Sequence, residues 1–183
     1  MMRAVLIRHA ATKGNTERRY IGVTDEDICA EGKAALLPHY PDVKAVICSP
    51  AKRCIQTAGL IYPGITPVIC EDMRECDFGS FEGKNYDDLN GDPEYQKWID
   101  SGGKSVFPGG EDPMVFRQRS CEAFLNAAAE YDDAAFIVHG GTIMAVMERF
   151  AVPSRDFYDY NINNGRGYIC LFDGEKITSY EPV

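Results

Sequence analysis

The sequence has 183 residues and a formal charge of −9, with 28 Asp plus Glu set against 19 Lys plus Arg. That balance argues against nucleic acid and anionic membrane surfaces as partners, so an anionic substrate has to be met by a local cluster of Arg. A composition 45% hydrophobic and 26% charged excludes a disordered chain, and the length predicts one compact domain over residues 1–183.

In chain order, Met1 to Ile7 is too short for a signal peptide. Ala4-Val5-Leu6-Ile7 is a short, β-branched apolar run that predicts a strand covered on both faces, and it ends in Arg8-His9. Ala45-Val46-Ile47-Cys48 repeats the pattern and ends in Ser49-Pro50, which reads as an N-cap followed by the first residue of a helix over 50–60. Pro67-Val68-Ile69-Cys70 predicts a third strand. Beyond it, Asp92-Pro93 predicts a short helix with Tyr95, Trp98 and Ile99 on one face. Pro113 to Glu130 predicts a longer helix. Ala135-Phe136-Ile137-Val138 predicts a fourth strand ending in His139-Gly140-Gly141, with Thr142 as the cap of the next helix. Tyr168–Phe172 and Lys176–Tyr180 predict a hairpin on a tight Asp173-Gly174 turn. Strands alternating with helices imply an α/β fold, a three-layer α/β/α sandwich whose mostly parallel sheet becomes mixed at one edge. Residues 82–112, rich in Gly and Pro, read as a loop-rich insertion over the active site, either a lid or a floppy loop.

No apolar run approaches the ~18–20 residues of a membrane span. The seven Cys form no Cys-x-x-Cys pair. Free buried thiols in a reducing, cytoplasmic setting are the expectation.

Two of the three His, His9 and His139, directly follow apolar strands. In open α/β sheets the ligand site lies beyond the carboxyl ends of strands. Arg8 precedes His9, and Arg53 falls in the first turn of the helix after the second strand. Guanidinium donors match phosphoryl oxygens, and helix starts add N–H groups and a positive dipole end. Taken singly, each of these Arg is more simply a surface charge; taken together, they and the two His make an anion pocket. The segment Arg74-Glu75-Cys76-Asp77-Phe78-Gly79-Ser80-Phe81-Glu82-Gly83 offers a carboxyl to protonate a leaving oxygen, a contribution of roughly 10²–10⁴ in rate. Spacing alone does not choose among Glu75, Asp77 and Glu82. A metal site built from His9, His139 and a Cys is disfavoured by the two neighbouring Arg, so no metal and no cofactor are expected. His39, in a Pro-rich turn, has no assigned role.

These motifs carry a resemblance. Arg8-His9-Ala10-Ala11-Thr12 with Asn15, Ser49-Pro50-Ala51-Lys52-Arg53 through Ala58, Arg74-Glu75 through Gly83, and Val138-His139-Gly140-Gly141 occur in the order in which the histidine phosphatase superfamily (phosphoglycerate-mutase-like) carries its signature motifs. The resemblance implies that His9 is a nucleophile that becomes phosphohistidine and that Glu75 is the proton donor. It implies that His139, Arg8 and Arg53 hold the phosphoryl group, with Asn15 and Gly140 in the substrate-binding set. It further implies a metal-independent phosphomonoesterase. Tyr20-Ile21-Gly22-Val23-Thr24-Asp25 and Phe107-Pro108-Gly109-Gly110-Glu111 resemble the alpha-ribazole phosphatases, so alpha-ribazole 5′-phosphate is a candidate ester. The short chain favours hydrolysis over mutase chemistry. Ala10 stands where the family usually has Gly, and Ala11 where Glu is common. If position 10 takes a positive φ, Ala is strained there, and an inactive phosphate-binding module is the competing reading. A small-molecule ester is the expected partner, and a homodimer is left open.

Overall fold

The computed structural model describes residues 1–183. Six strands form one sheet in the order β3-β2-β4-β1-β5-β6. They are β1 (Met2–Arg8), β2 (Ala45–Cys48), β3 (Val68–Ile69), β4 (Asp133–Val138), β5 (Gly167–Phe172) and β6 (Ile177–Pro182). The first four in sheet order are mutually parallel, and β5 pairs antiparallel with both β1 and β6. The sheet is therefore mixed at one edge, as expected. The principal helices are α1 (Lys13–Thr16), α2 (Ala30–Ala34), α3 (Lys52–Ile61), α4 (Tyr86–Leu89), α5 (Pro93–Asp100), α6 (Pro113–Glu130) and α7 (Gly140–Phe150).

The continuous apolar strands have two buried faces, and the pleat divides their side chains between them. Ala4, Leu6, Ile47, Ala134, Phe136 and Val138 join one core with α6 and α7 residues such as Phe124, Ile143 and Met147. Val5, Ile7, Val46, Cys48, Ala135 and Ile137 join a second core with Cys54 and Ala58 of α3. Leu6, Phe136 and Ile137 are at most 2% exposed. Fully burying one such side chain stabilises the fold by about 1.5–3 kcal/mol.

Several local expectations need correction. Ser49 does not cap α3: the helix starts at Lys52 with Ala51 as its cap residue. The Ser49 hydroxyl is instead engaged by His139 at 2.7 Å, and that buried contact outweighs a surface cap. Thr142 does not cap α7, because His139 occupies that position and Thr142 lies buried one turn in. The third strand shrinks to Val68–Ile69, since both residues face solvent on the edge of the sheet. Ile99 is 41% exposed while Tyr95 is buried, so the apolar face of α5 is narrower than predicted. The hairpin turn is a four-residue loop, with the Asp173 carboxylate accepting from the N–H groups of Glu175 and Lys176.

Residues 82–112 are not a floppy loop. Leu89, Tyr95 and Phe107 from this stretch pack with Cys76, Phe81 and Phe116 into a third, largely aromatic cluster. Trp98 stacks on Tyr95 at 6.1 Å. All seven cysteines are free. No helix is long and apolar enough to cross a membrane.

Candidate active site

Strand register builds the centre of the site. Arg8 lies opposite Val138 in the parallel pair β1–β4, so the next residue on each strand is a histidine and the two imidazoles become neighbours. Their ring centroids are 5.2 Å apart, edge to face. β2 lies on the other side of β4, with Cys48 opposite Ile137, which places Ser49 next to His139. The helix that follows, α3, then turns Arg53 back under the same strand ends.

The protonation states follow from hydrogen-bond partners. His9 Nδ1 lies 2.7 Å from the Ala10 carbonyl oxygen. A carbonyl only accepts, so Nδ1 carries the proton and Nε2 keeps its lone pair. Burial and then the neighbouring Arg53 hold the His9 pKa well below its ordinary value. His139 Nδ1 faces Arg53 Nη2 at 3.4 Å. Arginine only donates, so Nδ1 accepts and Nε2–H donates to Ser49 Oγ. Burial, reinforced by Arg53, keeps this imidazole neutral as well.

Arg53 is 1% exposed. Its Nη1 donates to the Thr24 carbonyl and its Nη2 to the Gly22 carbonyl, both at 2.8 Å, while Nε has no partner. Arg8 donates through Nη1 to the Ile162 carbonyl at 2.7 Å, and its Nε is likewise buried without a partner. Neither guanidinium is neutralised by an ion pair, so two cations and two uncharged imidazoles converge at one end of the sheet. On a chain of charge −9, this is a local concentration of positive charge.

Of the three candidate carboxylates, only Glu75 enters the site. Its Oε1 accepts from the Cys76 N–H at 3.0 Å and its Oε2 from the Gly141 N–H at 3.3 Å. Burial raises its pKa above the usual carboxylate range, against the pull of those N–H groups and of Arg53 and Arg8. The side chain retains some contact with the cleft. Asp77 caps its own turn through the Gly79 N–H. Glu82 accepts from the N–H groups of Gly22 and Val23 and from the Thr24 hydroxyl. It thereby fixes the loop whose carbonyls hold Arg53. A Cβ on Gly22 would meet the Cys76 carbonyl oxygen at 1.9 Å, so only glycine lets that loop approach the Glu75 segment.

Asn15 accepts through Oδ1 from the Thr12 N–H and from Asn164 Nδ2, and it lines the cleft. Gly140 begins α7 beside Arg8, whose Cζ is 3.3 Å from where a Cβ would stand. Ala10 is fully buried and has no positive φ. Its N–H donates to Thr57 Oγ1 at 2.9 Å, so the strain expected at this position is absent.

Sequence reasoning missed three supports. Thr57 accepts from Ala10 while donating to the Arg53 carbonyl. Asn164 donates to the His9 carbonyl at 3.0 Å. Gly141 is required because a Cβ there would lie 2.4 Å from Glu75 Oε1. The paired glycines after His139 signalled the last; the first two gave no signal in sequence.

The cleft, a cavity of about 270 Å³, opens above Arg8, Glu75 and Gly141 and is walled by Tyr20, Phe78, Trp98, Phe107 and Tyr158. Trp98 and Phe107 come from the 82–112 segment, which therefore overlies the site. Arg117 reaches the same cleft, lying 3.7 Å over the Phe157 ring and paired with Glu148.

The family model for the histidine phosphatase superfamily (branch 1) matches residues 4–181. "Phosphoglycerate mutase-like protein 4" of Arabidopsis thaliana is 29% identical over 95% of this chain and 81% of its own length. An acid phosphatase of Mycobacterium tuberculosis is 28% identical over 81% of this chain and 75% of its own. The crystal structure of the alpha-ribazole phosphatase from Shigella flexneri superposes with a TM-score of 0.82, covering 96% of this chain and 93% of that one at 22% identity. At that identity the likeness speaks for the fold alone.

Proposed function

Because the chain belongs to the histidine phosphatase superfamily, branch 1, we propose that it hydrolyses a small phosphate monoester through a phosphohistidine at His9, without a metal. The observation that carries this reading is the hydrogen bond from His9 Nδ1–H to the Ala10 carbonyl, which leaves the Nε2 lone pair for attack. Nε2 forms a bond to phosphorus while the ester P–O bond breaks, and Glu75 gives its proton to the departing oxygen. Glu75, now ionised, takes a proton from the water that attacks the phosphohistidine, which releases phosphate and restores His9. Arg8 and Arg53 hold the phosphoryl oxygens, with Asn15 and the N-terminal N–H of Gly140 beside them, and His139 joins them by turning its Nε2–H from Ser49 to the arriving phosphoryl group. Fixed cations suit a transition state whose charge spreads over those oxygens.

The wall of Tyr20, Phe78, Trp98, Phe107 and Tyr158 favours an ester whose alcohol part carries a flat apolar ring over a bare glycerate. Alpha-ribazole 5′-phosphate is an ester of that kind. A panel containing it, sugar phosphates and phosphoglycerates, assayed for phosphate release with EDTA present, tests the reading. Phosphate release from the ring-bearing ester, unaffected by EDTA, is the expected result. Isomerisation of 3-phosphoglycerate without phosphate release would favour a mutase instead. Tight phosphate binding with no turnover would favour a binding module.

The two titrating groups set the pH dependence. His9 must be neutral, and its pKa is held low; Glu75 must be protonated, and its pKa is raised. For an alkyl ester, kcat/KM rises as pH climbs past the His9 value and falls once pH exceeds the Glu75 value. In Glu75→Gln the falling limb disappears, as a pH–rate profile will show.

Gly141→Ala pushes a methyl group into the Glu75 carboxylate and to within 2.9 Å of Phe116 Cζ. A misplacement of about 1 Å lowers kcat/KM by up to ~10²-fold. The same methyl crowds the buried Phe116 ring, so despite the preference of helices for alanine the thermal melt should fall modestly. Steady-state kinetics and a melt on the same preparation check both parts.

A further inference from the structure

Glu75 sits on backbone that no strand supports. A single 3₁₀ turn, Glu71–Met73, leads into it, and Arg74 is extended. The carbonyls of Asp72, Arg74 and Glu75 accept instead from one side chain. Arg119 on α6 donates through Nη1 to Asp72 and Arg74, both at 2.8 Å, and through Nη2 to Glu75 at 3.1 Å. Its Nε and Nη2 also form a bidentate pair with Glu111, both at 2.8 Å. Every N–H direction of the guanidinium is thereby committed.

Glu111 closes the ring from the far side. Its backbone N–H donates to the Asp77 carbonyl at 2.9 Å, and its carboxylate accepts from the Asp77 N–H at 3.4 Å. The pair is largely sequestered, with 12% and 15% of the two side chains exposed, and Arg119 also lies over the Phe116 ring at 5.0 Å. Residues 72, 74 and 75 are gripped on one side and residue 77 on the other, with the proton donor between them. A lysine could not reproduce this, because a point charge cannot span three carbonyls and a bidentate carboxylate at once.

We propose that Arg119 and Glu111 are positioning residues that fix the backbone of 72–77 so that the Glu75 carboxyl meets the departing oxygen. The inference rests on the reading of Glu75 as the proton donor. A clamp of this kind matters in proportion to the need for that proton. Alkoxides leave poorly and need it; 4-nitrophenolate leaves readily and does not.

The test compares β-glycerophosphate with 4-nitrophenyl phosphate in the wild type, Arg119→Met, Arg119→Lys, Glu111→Gln and Glu75→Gln. For Arg119→Met we expect kcat/KM, which reports the phosphorylation step alone, to fall by ~10–10²-fold on the alkyl ester while that of the aryl ester changes by no more than about 3-fold. Arg119→Lys and Glu111→Gln should show the same selectivity at smaller amplitude, and they carry the test if Arg119→Met does not fold. A merely structural role would lower both esters together or lower only the melting temperature, and either result overturns the proposal. Glu75→Gln separates the two layers. If it is selective for the alkyl ester and the clamp variants are not, the clamp alone fails. If it is not selective, the reading of Glu75 as proton donor fails, and the clamp proposal fails with it.

Discussion

His9→Ala should abolish turnover, lowering kcat by roughly 10⁴–10⁶-fold, the scale seen when an enzyme loses the nucleophile of a catalytic unit. No neighbouring group is placed to take its role. The other imidazole, His139, has its Nε2–H committed to Ser49 and its Nδ1 facing Arg53. Cys54 is fully buried, and burial pushes its thiol pKa far up, so it supplies no thiolate. The variant should still fold, because β1, which ends just before His9, keeps its ladder to β4. Phosphate release is the readout, with circular dichroism to confirm the fold. Residual activity within about tenfold of the wild type would contradict a double displacement at this residue.

Arg53→Met should have the second-largest effect, and in two separable ways. The guanidinium is buried and has no ion-pair partner, so it is a standing charge aimed at an arriving dianion. Removing one such donor from a transition-state cradle costs about 10²–10³ in rate. It should also remove the stabilisation given by inorganic phosphate. A ligand present at a hundred times its Kd stabilises a protein by about 2.7 kcal/mol. Melts across a phosphate titration should therefore show a rising transition for the wild type and a flat one for Arg53→Met. Without ligand the outcome is closer to balance: the carbonyls of Gly22 and Thr24 lose their donor, while an unpaired buried charge is removed. An unchanged phosphate response would mean that the anion binds elsewhere.

Much of the site was legible because it is set by strands. Short apolar runs ending in Arg8-His9 and His139-Gly140 placed two imidazoles at strand ends, and parallel register brought them together. What was not legible depends on side chains meeting across large sequence separations. Ser49 read as a helix cap because the Ser-Pro pair gives that signal locally; its contact with His139, ninety residues on, could not be seen. The choice among Glu75, Asp77 and Glu82 was open for the same reason. Asp77 satisfies its own turn, Glu82 captures the 22–24 loop, and only the fold shows that Glu75 alone remains directed at the strand ends. The neutrality of His9 was not legible either, because it rests first on burial, and burial cannot be read from a motif. Arg119 carried no motif, and its importance appears only when backbone acceptors along 72–75 are followed to their donor.

The narrowing of α5 and the shortening of β3 share one cause. Apolar residues at Ile99, Val68 and Ile69 are each more than 40% exposed, and an exposed aliphatic side chain is common on a protein surface. Pattern alone overstates the buried face in such cases. The opposite error occurred at 82–112, where Gly and Pro suggested looseness. Interleaved Tyr95, Trp98 and Phe107 instead bring the segment down onto Tyr20, Phe78 and Phe81, which places aromatic rings in the cleft that holds Arg8 and Glu75.

The most direct measurement is mass spectrometry of enzyme quenched in alkali during turnover, with the phosphorylated peptide mapped. A double displacement through Nε2 requires an acid-labile, alkali-stable phosphoryl group on the peptide that contains His9, absent from His9→Ala and accumulating most with a good leaving group. Sustained turnover with no phosphoryl group on His9, or with the group on another residue, would contradict it.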